Sequence, residues 1–207
     1  MSQSYSTPAN THQLIVDAAT TLFAKHGFRG ASVREICARA GVSANAITYH
    51  FGSKELLYRH ILNQFNTLQL EHAKTALATD PGSRQEFEIR IEVFFAQLLD
   101  IYLKNREVLL ILFREFEQLL PDEENSIIEE MADTNFAISK YVSRAIDLGF
   151  VNADVDADIV AGILLDRLIN QAHFAHSHEK FFNVSTYDTK YRSYWVRTTL
   201  KIIFKGI

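Results

Sequence analysis

The sequence predicts an all-α protein with roughly nine helices, and three observations support this fold class. Apolar residues recur every three or four positions along most of the 207-residue chain, which is the spacing that gives a helix one apolar face. The prolines and several glycines stand where this spacing lapses, as helix ends require. No segment shows the alternation typical of a half-buried strand, and the stretch from Phe181 to Val184 is too short to count as one.

Composition restricts the class of protein further. The chain is 47% hydrophobic and 22% charged, which is enough apolar content to bury a core and offset chain entropy. The single cysteine, Cys37, excludes an intramolecular disulfide. No stretch reaches the ~18 apolar residues that span a bilayer, and the N-terminus shows no basic and apolar leader. We therefore expect a cytoplasmic protein with no membrane partner.

Charge is unevenly distributed along the chain. Residues 1–62 carry six basic and three acidic side chains, a net charge of +3, whereas the remaining residues carry a net charge of −7. A basic N-terminal segment on an acidic body indicates that only the first part of the chain meets a polyanion.

A glycine ends the first predicted helix, and a serine begins the second. The first begins after Pro8 and ends at Gly27, where a left-handed residue can close it. The second opens with a capping box, in which Ser32 and Glu35 each satisfy a free backbone amide of the other, and it ends at Gly41. The apolar stripe of the first helix consists of Leu14, Ile15, Ala18, Ala19, Leu22 and Phe23.

The next residues complete a helix-turn-helix motif. Val42 follows the glycine as an apolar plug, and Ser43 can cap a third helix, Ala44–Phe51. Two short helices joined by a three-residue turn that contains glycine are typical of this motif. Its second helix exposes Asn45 and Thr48, whose side chains have a length suited to base edges. We predict that these two residues read bases directly.

Longer helices are predicted for the rest of the chain. One helix over residues 53–78 is expected to join an N-terminal DNA-binding domain, residues 1–53, to a larger C-terminal domain, residues 54–207. The remaining predicted helices are Ser83–Leu103, Glu107–Leu120, Asn125–Leu148, Asp156–Phe174 and Tyr187–Phe204. Glu107–Leu120 and Asn125–Leu148 are separated by Pro121.

The segment from Leu14 to Leu62 resembles the tetracycline-repressor (TetR) family of bacterial transcription regulators. The resemblance is strongest in GVSANAITYHFGSKELL, where the aromatic, His-Phe and Ser-Lys elements fall at the spacing of the family. Ala46 stands where glycine is frequent and Cys37 where alanine is usual, but both substitutes are small. The resemblance implies a homodimeric transcription regulator whose partners are double-stranded operator DNA, a second copy of itself and a small-molecule effector.

The resemblance also implies DNA contacts by position in the motif. Ser32 resembles a phosphate-contacting residue, and Tyr49 and His50 resemble groups that reach phosphates and base edges. Lys54 resembles a lysine that places charge and a helix N-terminus against the DNA backbone. The complete set of predicted DNA-binding residues is Ser32, Arg34, Ser43, Asn45, Thr48, Tyr49, His50 and Lys54.

Polar residues interrupt the otherwise apolar helix Asp156–Phe174, which is expected to belong to a C-terminal ligand-binding and dimerisation domain. Their spacing places them on one face, and polar groups in an apolar segment need partners. One interpretation is an effector site with aromatic walls; the other is that these residues pair with each other or line a dimer seam. The predicted ligand-binding residues are Phe95, Tyr102, Phe113, Asp166, Asn170 and His173.

The last two long helices are apolar enough to need a partner surface, which predicts a homodimer held by a four-helix bundle. The residues expected at that surface are Ala161, Leu164, Leu165, Leu168, Trp195, Leu200, Ile202 and Ile203. The sequence shows no phosphate-binding glycine loop, no nucleophile elbow and no spaced Cys–His set. We therefore predict no enzyme activity, no cofactor and no metal site.

The function that the family resemblance implies is repression that a ligand relieves. The ligand must then favour the state that does not bind DNA, and DNA must disfavour the ligand equally. Two alternatives stay open. The same fold could act as an activator or a ligand-independent regulator, or the chain could be a helical protein-interaction or enzymatic module.

Overall fold

The computed structural model describes residues 8–118 and 126–205, and the described residues form ten helices and no strand. The all-α prediction is confirmed. The helices are α1 (Pro8–Gly30), α2 (Val33–Ala40), α3 (Ala46–Phe51), α4 (Lys54–Ala76), α5 (Arg84–Lys104), α6 (Arg106–Gln118), α7 (Ser126–Asp147), α8 (Ala157–His173), α9 (Ala175–Phe182) and α10 (Thr189–Lys205). The predicted helix ends at Leu120 and Asn125, and the break at Pro121, lie outside the described residues. A membrane-spanning helix is absent from the part of the chain that the structure describes.

Two helix starts carry side-chain caps, and the capping box of α2 is one that the sequence predicts. The Ser32 hydroxyl accepts from the Glu35 amide at 3.2 Å, and the Glu35 carboxylate accepts from the Ser32 amide at 3.0 Å. Asp156 caps α8 by accepting from the amides of Asp158 at 2.9 Å and Ile159 at 3.0 Å. An acidic cap is favourable there because the N-terminus of a helix is its positive end.

Two other helix ends differ from the prediction. α1 does not end at Gly27 but continues past a kink at this residue, whose φ of 72° and ψ of 172° are not helical. α3 starts at Ala46 rather than Ala44, because a turn precedes it in which the Ser43 carbonyl accepts from the Ala46 amide at 3.0 Å. The prediction that Ser43 caps this helix is wrong, since Asn45 occupies the N-cap position.

α9 is a helix that the sequence does not predict. It follows α8 with only Phe174 between them, and no side chain caps its start. It ends at Asn183, which adopts the left-handed conformation with a φ of 53°. Because its beginning lacks the usual serine or proline signal, the sequence pattern does not separate it from α8.

The described residues divide into two compact units. The first comprises residues 8–65 and 107–118, and the second comprises residues 66–106 and 126–205. The first unit extends beyond the predicted domain boundary at residue 53 because the first half of α4 packs with α1 and α3. Its buried residues in that half are Leu57, Tyr58, Ile61, Leu62 and Phe65. The assignment of functional domains to residues 1–53 and 54–207 stays a prediction.

The core of the first unit holds the helix-turn-helix in place. An aromatic cluster joins α1 to α4, with the ring centroid of Tyr58 at 5.0 Å from those of both Phe23 and Phe28 in edge-to-face geometry. Ring quadrupoles favour this arrangement. Ile36 of α2 and Ile47 of α3 are also fully buried. The six-residue helix α3 is therefore held by its inner side, which leaves its other side for a partner.

The core of the second unit combines apolar packing with buried hydrogen bonds between polar side chains. Phe95 of α5 stacks on Trp195 of α10 with ring centroids 5.9 Å apart. The Tyr102 hydroxyl donates to Oε1 of Gln69 at 2.7 Å, and Nε2 of Gln69 donates to Oδ1 of Asn66 at 3.1 Å. Burial raises the pKa of Tyr102 well above its usual range, so this phenol remains a neutral hydrogen-bond donor.

Candidate nucleic-acid interface

The outer side of α3 carries polar side chains and one exposed aromatic ring. Asn45 and Thr48 are exposed, and Tyr49 is 83% exposed, whereas Ala46 and Ile47 on the other side are buried. A tyrosine this exposed contributes little to the core. The packing of α3 thus separates the residues that hold it from those that are available to a partner.

A shallow, open groove of about 450 Å³ lies beside this surface. Gly41 closes α2 in the left-handed conformation, with a φ of 69°, which glycine adopts without the steric cost of a Cβ atom. The groove therefore combines turn backbone with polar side chains, and such groups bind phosphates and base edges. Its lining residues are Thr11, Gly41, Val42, Ser43, Asn45, Ala46, Tyr49 and His50.

The start of α2 is also exposed, but one of its polar groups already has a partner. The Ser32 hydroxyl donates to the Glu35 carboxylate at 2.6 Å. The hydroxyl and amide of Ser32 together hold the pKa of the Glu35 carboxyl below its ordinary value. Arg34 is exposed on the same helix. A phosphate at this point would meet the Arg34 guanidinium directly, whereas Ser32 would have to share its hydroxyl with Glu35.

Lys54 is placed differently from what the family resemblance implies. Its Nζ donates to the backbone carbonyls of Phe28 at 3.0 Å and Ala31 at 3.1 Å. The same atom lies 4.3 Å from the centroid of the Phe28 ring, a distance at which a cation is attracted to the ring face. Two of the three N–H donors of the ammonium group are therefore used within the first unit.

His50 belongs to a cluster of three histidines. The ring centroid of His12 lies 6.3 Å from that of His50, 5.1 Å from that of His60 and 4.4 Å from that of Phe51. Nε2 of His60 is buried and has no hydrogen-bond partner among the described residues. Burial, and then the neighbouring His12, lower the pKa of His60. Sequence spacing gives no sign of this cluster, because its members come from three helices.

We expect the folded state to lose stability as the pH falls through the range in which imidazoles titrate. The ordinary pKa of the imidazole is 6.5, and that of folded His60 is lower. Below the ordinary value the unfolded chain therefore binds more protons than the folded chain, so acid favours unfolding. Thermal unfolding between about pH 8 and about pH 5 should show a falling midpoint.

The variant His60→Phe, which keeps a ring beside Phe51, should flatten this pH dependence. His176 is exposed on α9, so His176→Gln serves as the matched control and should leave the dependence unchanged. An identical fall of the midpoint in the wild type and in His60→Phe would contradict the role given to His60.

The predicted effector-binding residues are divided between the two units. Phe95 and Tyr102 are buried in the core of the second unit. Phe113 is half-buried on α6 and belongs to the first unit. His173 is half-buried, and its carbonyl accepts from Arg106 at 3.1 Å. The three aromatic residues therefore contribute to the packing of two different units.

Asp166 and Asn170 lie on the outer side of α8, not in its core. Both are exposed, and the Asn170 amide donates to the Asp166 carbonyl at 2.8 Å. The exposed Ile159 and Ile163 share this face, because positions three and four apart on a helix are neighbours. Both residues therefore lie on the exposed side of α8, and their role in ligand binding stays a prediction.

Several residues expected at the dimer surface are instead buried within the chain. Leu165 and Trp195 are half-buried. On α10 the exposed large residues are Tyr194 and Ile202. The buried residues are Ala161, Leu164, Leu168 and Leu200. In the described part of the chain, no three histidine, cysteine, aspartate or glutamate side chains are grouped so that they could hold a metal ion.

Residues 15–61 match the model of a family described as bacterial regulatory proteins, tetR family. They run from α1 through the helix-turn-helix into α4, which is the part of the chain that carries the exposed α3 surface. This segment belongs to the tetR family. Regulatory proteins of this kind are not enzymes, in agreement with the prediction from the sequence.

One curated relative is similar to this chain over a short segment. The chain is 45% identical over 51 residues to the HTH-type transcriptional repressor AcnR of Corynebacterium efficiens. That segment is 25% of this chain and 27% of AcnR, so the match spans about a quarter of the relative.

Two solved structures share the fold over nearly the whole chain. The TetR family transcriptional regulator PfmR from Thermus thermophilus has a TM-score of 0.73 and 17% identity over 99% of this chain and 98% of its own. The transcriptional regulator FadR from Bacillus subtilis, solved in complex with stearoyl-CoA, has a TM-score of 0.67 and 12% identity over 95% of this chain and 99% of its own. At these identities the likeness establishes the fold.

Proposed function

We propose that this tetR-family chain is a homodimeric transcription regulator that binds operator DNA through α3 and represses until a small molecule releases it. The observation that carries the proposal is the outer side of α3, where Asn45, Thr48 and Tyr49 are exposed on a helix held by its inner side. The matched relative AcnR is a transcriptional repressor.

DNA recognition through this surface follows from its size and chemistry. The major groove of B-DNA is about 12 Å wide and admits one α-helix. With α3 in the groove, Asn45 and Thr48 would face base edges. Arg34 on α2 and His50 at the end of α3 would lie towards the phosphates, where charge fixes position rather than sequence.

Dimerisation would use the outer faces of α8 and α10. Ile159, Ile163, Tyr194 and Ile202 are exposed large residues on these helices, and exposed apolar side chains at helical spacing indicate a surface that a partner covers. Two copies related by a twofold axis would place the same surface against itself. Asn170 would then lie within the seam, where its amide can bond across as well as to its own helix.

Selection of random DNA fragments by the purified protein tests the function as a whole. We expect enrichment of a near-palindromic sequence whose half-sites are one helical turn apart or a small multiple of it. Operator affinity should fall steeply with salt, because each neutralised phosphate releases counterions. A protein that enriches no sequence and shows no salt-dependent binding would not be an operator-binding regulator.

An acyl-CoA thioester is the effector class to test first, because the structural neighbour FadR was solved with stearoyl-CoA. A ligand present at a hundred times its dissociation constant stabilises the folded state by ~2.7 kcal/mol. We expect stearoyl-CoA to raise the thermal unfolding midpoint and weaken operator binding, whereas free coenzyme A should do neither. If stearoyl-CoA changes neither quantity, long-chain acyl thioesters are not the effectors.

A further inference from the structure

The end of α1 contains backbone carbonyls that its own helix does not fully satisfy. The last four carbonyls of any helix lack intrahelical partners, and the kink at Gly27, with its φ of 72°, interrupts the ladder a turn earlier. A Cβ atom at Gly27 would lie 3.9 Å from the Arg114 guanidinium. The kinked segment is therefore approached closely by a side chain from another helix.

Lys54, in the first turn of α4, binds the final turn of α1. Its ammonium donates to the Phe28 and Ala31 carbonyls and lies over the Phe28 ring. That ring packs against Tyr58, one turn further along α4, at 5.0 Å between centroids. A cation at the negative end of a helix is doubly favourable, since it satisfies the carbonyls and opposes the helix dipole.

Arg114, on α6, binds α1 just ahead of the kink. Its guanidinium donates to the Phe23 carbonyl at 3.3 Å and to the Lys25 carbonyl at 3.4 Å. A second contact between α1 and α6 joins the Thr21 hydroxyl to the Glu107 carboxylate at 3.1 Å. Two cations from different helices therefore bind carbonyls on both sides of Gly27; we call them the α1 clamp.

Both members of the clamp belong to the first unit. The chain leaves the first unit within α4, after Phe65, and returns to it at Glu107. We infer that Lys54 and Arg114 are positioning residues of the DNA-binding unit, which fix the kinked end of α1 and hence the α2–α3 motif packed against it. Operator affinity then depends on α6, and Lys54 supplies no phosphate contact. This inference rests on the proposed DNA-binding function.

The occupied donors of Lys54 separate this role from a phosphate contact. A lysine that neutralises a phosphate contributes about 0.9 to the slope of log affinity against log salt concentration. An ammonium held by two carbonyls contributes to affinity only through the shape of the unit, so its removal lowers affinity equally at every salt concentration. The salt slope therefore distinguishes the two roles.

The test compares operator binding over a range of salt concentrations in the full-length protein. Lys54→Met and Arg114→Met should each weaken binding about tenfold with the slope unchanged. Arg34→Met is the matched control on an exposed cation and should lower the slope by about one. Arg114→Lys keeps a donor for the carbonyls and should recover most of the loss. Binding is compared well below the unfolding midpoint, where every variant is folded.

Hydrogen exchange gives a second readout that needs no DNA. Lys54→Met and Arg114→Met should speed exchange of the amides over residues 24–31, and Arg34→Met should not. A slope lowered by about one in Lys54→Met would make Lys54 a phosphate contact and overturn the inference. Wild-type affinity and exchange in Arg114→Met would equally overturn the part assigned to α6. A wild-type protein that binds no operator would instead refute the proposed function itself.

Discussion

Replacing Ile163 with glutamate should convert the dimer to a monomer and lower operator affinity at least about a hundredfold. Ile163 is 43% exposed on the outer side of α8, where the proposed seam lies. At a twofold interface the substituted carboxylate meets its own copy or an apolar surface, and a buried unpaired charge is strongly unfavourable. Two DNA-binding units joined in one dimer bind DNA more tightly than one unit alone, because binding of the second is intramolecular. A monomer loses this gain in affinity.

Sedimentation at micromolar concentration would measure the mass, and operator titration would measure the affinity. Ile89 is 56% exposed on α5, so Ile89→Glu is the matched control and should remain a dimer with wild-type affinity. A dimeric Ile163→Glu protein would place the seam elsewhere. A monomeric wild type would exclude the homodimer and the palindromic operator with it.

The fold class could be predicted because its signals are local. A capping box such as Ser32 with Glu35, or an acidic cap such as Asp156, acts within one helical turn, so sequence alone contains the whole interaction. The start of α3 was harder because Ser43 and Asn45 both suit an N-cap. The turn that precedes α3 decides between them, and that turn depends on how α2 and α3 pack.

The placement of polar residues on α8 could be predicted only in part. The spacing of Asp166 and Asn170 correctly gives one face of a helix. However, α8 is apolar on nearly every side, so its pattern does not reveal which stripe faces the core. Leu164 and Leu168 are the buried stripe, which turns Asp166 and Asn170 outwards. Only the packing of α8 against the rest of its unit settles this choice.

The roles of charged residues were the least predictable from sequence. The position of Lys54 in the family motif places this residue correctly at the start of α4. The motif contains no information on the carbonyls of Phe28 and Ala31, because these residues lie far from Lys54 in the sequence. Arg114 belongs to no sequence motif, and its hydrogen bond to the Phe23 carbonyl of α1 joins residues that are 91 positions apart. Such contacts follow from tertiary packing, so a residue's charge and its position in a motif do not establish what it binds.

Replacing Asn45 with alanine should abolish discrimination at one base position of each half-site and leave the fold intact. Asn45 is exposed at the N-cap of α3, and its side chain makes no capping hydrogen bond, so alanine removes no helix contact. A specific side-chain contact to a base contributes ~1–3 kcal/mol of discrimination. In a dimer the loss occurs twice, so affinity for the preferred operator should fall about thirtyfold or more.

Titration with the selected operator and with a random duplex separates base reading from general DNA binding. Asn45→Ala should bind the random duplex as the wild type does, because phosphate contacts are unchanged. Tyr49→Ala should weaken binding to both duplexes if its ring reaches the backbone. Asn63 is an exposed asparagine on α4 in the same unit, so Asn63→Ala should match the wild type on both. Equal losses on both duplexes for Asn45→Ala would show that this residue contacts the backbone rather than a base.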